Sequence, residues 1–181
     1  MNLTEKTLRQ TYKYKGRILN LRVDDIELPD GKPALREVVE HPGGVCIAAL
    51  TETQELLFVE QFRYPYREVV LELPAGKLEY GEDPLEAGKR ELHEEAGAAA
   101  DVYRSLGTLY PTPGYCGEII HLYLATGLAF SAPQPDEDEF LRLRRIPLET
   151  AYRMVLDNQI PDAKTQVGIL KTYQLIKEGL L

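Results

Sequence analysis

A chain of 181 residues with 44% hydrophobic residues has the size and composition of one globular domain, with room for a small appendage. Its formal charge of −8 argues against a nucleic-acid backbone as the main partner, which would need a basic surface. No apolar run approaches the length of a membrane span, and the polar start MNLTEKTLRQTYKYKG lacks the apolar stretch of a secretory leader.

Residues 10–42 read as strands joined by turns. Leu19, Leu21 and Val23 alternate with polar neighbours, Ile26 and Leu28 continue the alternation, and Pro29-Asp30-Gly31 makes a turn. Arg36 to Glu40 reads as another strand, and His41-Pro42-Gly43-Gly44 breaks the chain. The expectation is a small antiparallel β appendage over 1–42 and a main domain over 43–181. In the main domain Val45 to Leu50 and Leu56 to Glu60 have the apolar character of core strands. Cys46 lies in the first of them, and with Cys116 as the only other cysteine a reducing compartment, the cytoplasm, is expected. Val69 to Leu73 is a short strand stopped by Pro74. Asp83 opens a helix with Pro84 in its first turn, where the missing N–H costs nothing. That helix runs to about Ala96, and Gly97 stops it. Further strands are expected at about 101–109 and 118–126, a Pro- and acid-rich loop over Ala132 to Asp138, and amphipathic helices over 148–157 and 163–178. Strands with helices interspersed give an α/β or α+β fold.

On the helix from Asp83, each residue turns roughly 100°, so Leu85, Leu92 and Ala96 share a core stripe. Glu91, Glu94 and Glu95 fall on the other side. A solvated acidic face is the ordinary reading of such a helix. Here Glu91 and Glu95 are four apart and repel, and the carboxylates crowd the C-terminal end, where the helix dipole disfavours them. A bound cation would remove both penalties, and an all-oxygen ligand set suits Mg²⁺ or Mn²⁺. Gly88, inside this helix, costs about 1 kcal/mol against Ala; in projection it falls near Glu95, so the expectation is that it leaves room there.

From Gly76 the chain reads GKLEYGEDPLEAGKRELHEEAGA. Gly76, Glu82, Arg90, Glu91, Leu92, Glu94, Glu95, Gly97 and Ala98 reproduce a complete Nudix box, a coincidence with probability on the order of 10⁻¹⁰ per start site at average composition. The chain therefore resembles the Nudix hydrolases. The segments YKGRILNL, REVVEHPGGV, VEQFRYPY, ELPAGKLE, YPTPGYCGE and DEDEF, with Pro113 sixteen residues past Gly97, make it similar to the bacterial ADP-ribose pyrophosphatases over nearly its whole length.

The resemblance implies an α/β/α sandwich with a mixed sheet, the box forming a loop, helix and loop. It implies Glu91 and Glu95 as the main metal ligands, joined by Glu94 and the carbonyl of Ala75, with Gly76 and Gly97 shaping the loops and Glu82 binding metal or supporting the site. Arg90 would orient a box glutamate, and with Glu94 and Glu139 it makes up the implied catalytic set. Glu139 matches the glutamate that serves some relatives as general base, but Asp136, Glu137 and Asp138 are adjacent, and the sequence leaves the choice among the four open. Arg63 would hold the diphosphate, Glu79 would lie near it, Gly114 would let the backbone approach closely, and Glu118 would contact a ribose or a metal-bound water. Ile18, Arg36 and Glu37 would serve the adenosine end across a homodimer interface made by the N-terminal strands. His41, His93 and His121 are expected to be structural, and Cys116 has no evident base partner.

The implied reaction is metal-dependent hydrolysis of ADP-ribose to AMP and ribose 5-phosphate. The box reads a diphosphate and not its attachments, so a nucleotide sugar, a dinucleotide or NADH stays open as substrate. A non-enzymatic ADP-ribose sensor is a third reading, disfavoured because every box glutamate is present and there is no basic patch.

Overall fold

Residues 2–134 and 140–180 are described by the computed structural model. They fall into two units, one of Met1–Gly43 with Tyr110–Ile119, the other of Gly44–Leu109 with Ile120–Leu181. Glu139 and its acidic neighbours Asp136, Glu137 and Asp138 lie outside the described residues.

The first unit is an antiparallel sheet of β1 (Lys6–Lys15), β2 (Asn20–Glu27) and β3 (Pro33–Glu40). The turn expected at Pro29-Asp30-Gly31 joins β2 to β3: Gly31 donates to Leu28 O at 2.8 Å with φ at 84°, a conformation that glycine adopts without strain. β1 begins at Lys6, earlier than its polar sequence suggests, because it pairs through its backbone while nearly all its side chains stay exposed. The segment 110–119 joins β3 through Val39 N to Tyr115 O at 2.8 Å and Gly117 N to Val39 O at 2.9 Å.

Among the described residues the second unit holds two sheets and three helices. A mixed sheet has the order β7 (Ala75–Lys77), β4 (Gly44–Ala49), β9 (Ile120–Phe130) and β8 (Ala98–Leu109), with β4 and β9 parallel. An antiparallel sheet has the order β10 (Arg142–Pro147), β5 (Glu55–Arg63) and β6 (Glu68–Glu72). The helices are α1 (Pro84–Ala96), α2 (Leu148–Leu156) and α3 (Ala163–Lys177).

Every residue of β4 is buried, as expected of a strand covered on both faces. Its alternation sorts the core. Val45, Ile47 and Ala49 pack with Ala87, Leu92 and Ala96 of α1. Cys46, Ala48 and Leu50 pack with Ala151 and Val155 of α2 and Ile169 of α3. The unit is thus helix, sheets and helix, the mixed-sheet α/β/α arrangement expected. β7 and β10 had no legible periodicity: β7 is three residues long, and β10 is the polar, mostly exposed RLRRIP.

Candidate active site

Local chemistry sets the ends of α1. Asp83 caps it by accepting from the backbone N–H of Leu85 at 2.9 Å and Glu86 at 3.2 Å, and Pro84 follows. Gly97 closes it with φ at 59°, its N–H donating to His93 O at 2.9 Å. Within the helix, Gly88 does not make room for Glu95 as projected. A Cβ there would meet Ile47 Cδ1 at 2.6 Å and Val45 Cγ2 at 3.1 Å, so the glycine lets α1 approach β4 closely.

The acidic face is not solvated. Glu91 is 7% and Glu95 4% exposed, although both lie away from Leu92, because β7 covers that side. The backbone N–H of Ala75 donates to Glu95 Oε2 at 2.9 Å. Glu91 lies against Gly76 so closely that any Cβ at Gly76 would overlap its carboxylate. The first box glycine is therefore required by space, not by backbone conformation.

Arg90 ties the remaining acids together. Its Nη1 lies 2.9 Å from both Glu91 Oε1 and Glu94 Oε2, while Nε and Nη2 donate to Glu82 at 3.1 and 3.2 Å. Hydrogen bonding to Arg90 is the largest influence holding Glu82 below the usual carboxylate range, and the same bond raises Arg90 further above its already high value. Glu82 also accepts from the Glu79 backbone N–H at 2.8 Å, which ties down the loop before the helix; the Glu79 side chain is exposed.

Among the described residues, no group of three or more His, Cys, Asp or Glu is arranged around one point as metal ligands. The charge between Glu91 and Glu94 is met by Arg90 instead. The donor types nevertheless fit a hard divalent cation: Glu91, Glu94 and Glu95 offer carboxylate oxygens, and Glu91 and Glu95 are already buried.

Arg63, at the end of β5, belongs to the same unit. Its Nε and Nη2 donate to Glu72 Oε1 and Oε2 at 2.5 and 2.7 Å. Glu72 also meets Lys164 of α3, whose Nζ lies 3.0 Å from Asp162 Oδ1. Burial pushes Glu72 up, but Arg63 and Lys164 outweigh it and hold the carboxyl below its ordinary value. Sequence reasoning missed both Glu72 and Lys164. The legible signal was an acid at an inward position of the apolar strand EVVLE, where an unpaired charge would be costly.

The first unit carries the other expected site residues. Ile18 is exposed between β1 and β2, Arg36 donates through Nε to Glu5 at 3.0 Å, and Glu37 and Gly114 are exposed. Glu118 Oε1 lies 3.4 Å from His41 Nδ1.

The sequence pattern described as the NUDIX domain matches residues 40–167. The chain belongs to the Nudix family. Its Nudix domain follows residues 5–39, which match the Nucleoside diphosphate sugar hydrolase N-terminal domain. The ADP-ribose pyrophosphatase of Bacillus subtilis (strain 168) is 39% identical over 181 residues, covering 99% of this chain and 97% of that protein. The Methanol dehydrogenase activator of Bacillus methanolicus is 40% identical over 178 residues, covering 97% of this chain and 95% of that protein. The ADP-ribose pyrophosphatase of Mycobacterium tuberculosis (strain ATCC 25618 / H37Rv) is 34% identical, covering 93% of this Nudix chain and 83% of its own. A crystal structure of an ADP compounds hydrolase superposes with a TM-score of 0.86 and 22% identity, covering 100% of each chain, and at that identity the likeness is one of fold.

Proposed function

We propose that this Nudix protein hydrolyses ADP-ribose to AMP and ribose 5-phosphate. The observation that carries the reading is the box helix, which gathers Glu91 and Glu94 around Arg90 and holds Glu95 against β7, in a chain similar over nearly its whole length to ADP-ribose pyrophosphatases.

Glu91, Glu94 and Glu95, with the Ala75 carbonyl, would hold divalent cations, Mg²⁺ or Mn²⁺. When bound, these neutralise the diphosphate and acidify a water. The chain's own residues do the rest. Arg63 pairs with the non-bridging oxygens of the diphosphate. Arg90 keeps Glu91 and Glu94 oriented, so little reorganisation accompanies binding. Water adds to one phosphorus and the anhydride oxygen leaves on the other phosphate. One of Asp136, Glu137, Asp138 and Glu139, Glu139 foremost, takes the water's proton. Ile18, Arg36, Glu37, Glu79, Gly114 and Glu118 are the proposed substrate contacts. The protein works in the cytoplasm as a homodimer formed through its N-terminal strands. A monomer by light scattering would remove the dimer and the sharing of a site between copies.

The test is product analysis with ADP-ribose, with Mg²⁺ and with EDTA, beside a panel of nucleotide sugars, dinucleotides and NADH. Metal-dependent release of AMP and ribose 5-phosphate, faster than from the panel, is expected. Preference for another diphosphate would keep the chemistry and move the substrate.

The 40% identity to the Methanol dehydrogenase activator favours one further reading, in which hydrolysis is coupled to activation of a dehydrogenase. Methanol dehydrogenase turnover with and without this chain decides it, and an unchanged rate removes it.

A further inference from the structure

Glu72 is the most buried acid among the described residues, at 1% exposed. A carboxylate in that position needs a counter-charge, and Lys164 of α3 meets it, but the lysine is shared with Asp162. Arg63 therefore supplies the second counter-charge for this pair of acids, and its side chain is 38% exposed. The strand register makes its choice of partner more telling. Arg63 is directly opposite Glu68, an exposed acid one strand away, yet it leans back over the same sheet face to the buried Glu72, which is opposite Val59.

The pairing is side-on, through Nε and Nη2. A guanidinium is planar, so this engagement turns the Nη1/Nη2 edge away from Glu72 and fixes its direction. Glu95 is among the charges that act on Arg63, so the guanidinium sits within the field of the box helix. The covalent path is short as well: Glu72, Leu73, Pro74 and Ala75 run directly to the backbone N–H that holds Glu95. Leu73 N donates to Thr165 Oγ1 at 2.9 Å, so α3 grips this segment through Thr165 as well as through Lys164.

We infer that Glu72, anchored by Lys164, is a positioning residue that holds Arg63 with its terminal edge ready for the diphosphate. The inference rests on the reading that Arg63 meets the diphosphate of ADP-ribose. Without Glu72 the guanidinium swings over several rotamers, and substrate binding must order it.

The experiment is a double-mutant cycle of Glu72→Gln and Arg63→Ala, read as kcat and KM for ADP-ribose. Glu72→Gln is expected to lower kcat/KM on the order of 10–100-fold in the native background, mostly through KM, and to have little effect in the Arg63→Ala background. Equal losses in both backgrounds would make Glu72 merely structural and overturn the inference. If Arg63→Ala itself matches the wild type, the inference falls while the hydrolase reading stands. If the wild type releases no AMP, the hydrolase reading falls and takes the inference with it. Should Glu72→Gln not fold, Glu72→Asp serves the same cycle, since it keeps the charge beside Lys164 but withdraws the carboxylate by one methylene.

Discussion

The backbone N–H of Ala75 donates to Glu95 Oε2 at 2.9 Å, so the strand ahead of the box is latched to the helix by one of the helix's own acids. Glutamine can still accept that bond while losing the charge. Glu95→Gln is therefore expected to keep the wild-type urea midpoint within about 1 kcal/mol of stability and to lower kcat on the order of 100-fold or more. Near-normal turnover in both Glu94→Gln and Glu95→Gln would rule out chemistry centred on this helix.

Two glycines of the box region should separate activity from stability. Alanine at Gly76 overlaps the Glu91 carboxylate, the movable end of a flexible side chain. Gly76→Ala should fold and lose most of its turnover. Alanine at Gly88 presses on Ile47 and Val45 in the core. Overpacking there costs about 1–3 kcal/mol, against a gain of about 1 kcal/mol in helix propensity. Gly88→Ala should lower Tm by a few degrees with kcat nearly unchanged. The reverse pattern of losses would contradict both assignments.

A cation that binds only the folded chain stabilises it by mass action, about 2.7 kcal/mol at a hundredfold excess over its Kd. Mg²⁺ or Mn²⁺ should raise the Tm of the wild type and leave Glu91→Gln much less affected, while EDTA abolishes hydrolysis. An equal Tm rise in both proteins would put the metal elsewhere.

Glu72 also sets a pH signature. Burial pushes its carboxyl up, but Arg63 and Lys164 outweigh burial, and its folded-state pKa lies below the ordinary 4.5. A group depressed in the folded state contributes stability that is full above its unfolded value and disappears as pH falls through the folded one. The stability gap between wild type and Glu72→Gln should hold steady from about pH 7 to about pH 5.5 and narrow below about pH 4.5. Urea midpoints across that range measure it, and a gap unchanged at about pH 3 would contradict the assignment.

Much of this was legible because periodicity and spacing are local. The capped helix from Asp83 to Gly97, the turn at Gly31 and the buried strand around Cys46 follow from their own residues. What the sequence hid depends on contacts between distant segments. β7 is too short to show alternation, yet it covers Glu91 and Glu95 and turns an apparent surface into a buried site. Gly88 pointed toward Glu95 on a helical wheel, whereas its reason is β4, some forty residues earlier. Arg63 was expected by resemblance to hold the diphosphate, but its tie to Glu72 was not legible, nor was the contact of Glu72 with Lys164, 92 residues away on α3.

Cys46 is free, 1% exposed, and its thiol is pushed up by burial, so in the folded chain it is closed to alkylating reagents. It is also the register partner of Ala75 across β4 and β7. Its side chain lies in the core cluster with Ala151 and Val155 of α2 and Ile169 of α3, so a reagent reaches it when that layer parts from β4. The rate of its trapping under native conditions thus counts how often the helices α2 and α3 lift from the sheet behind the site.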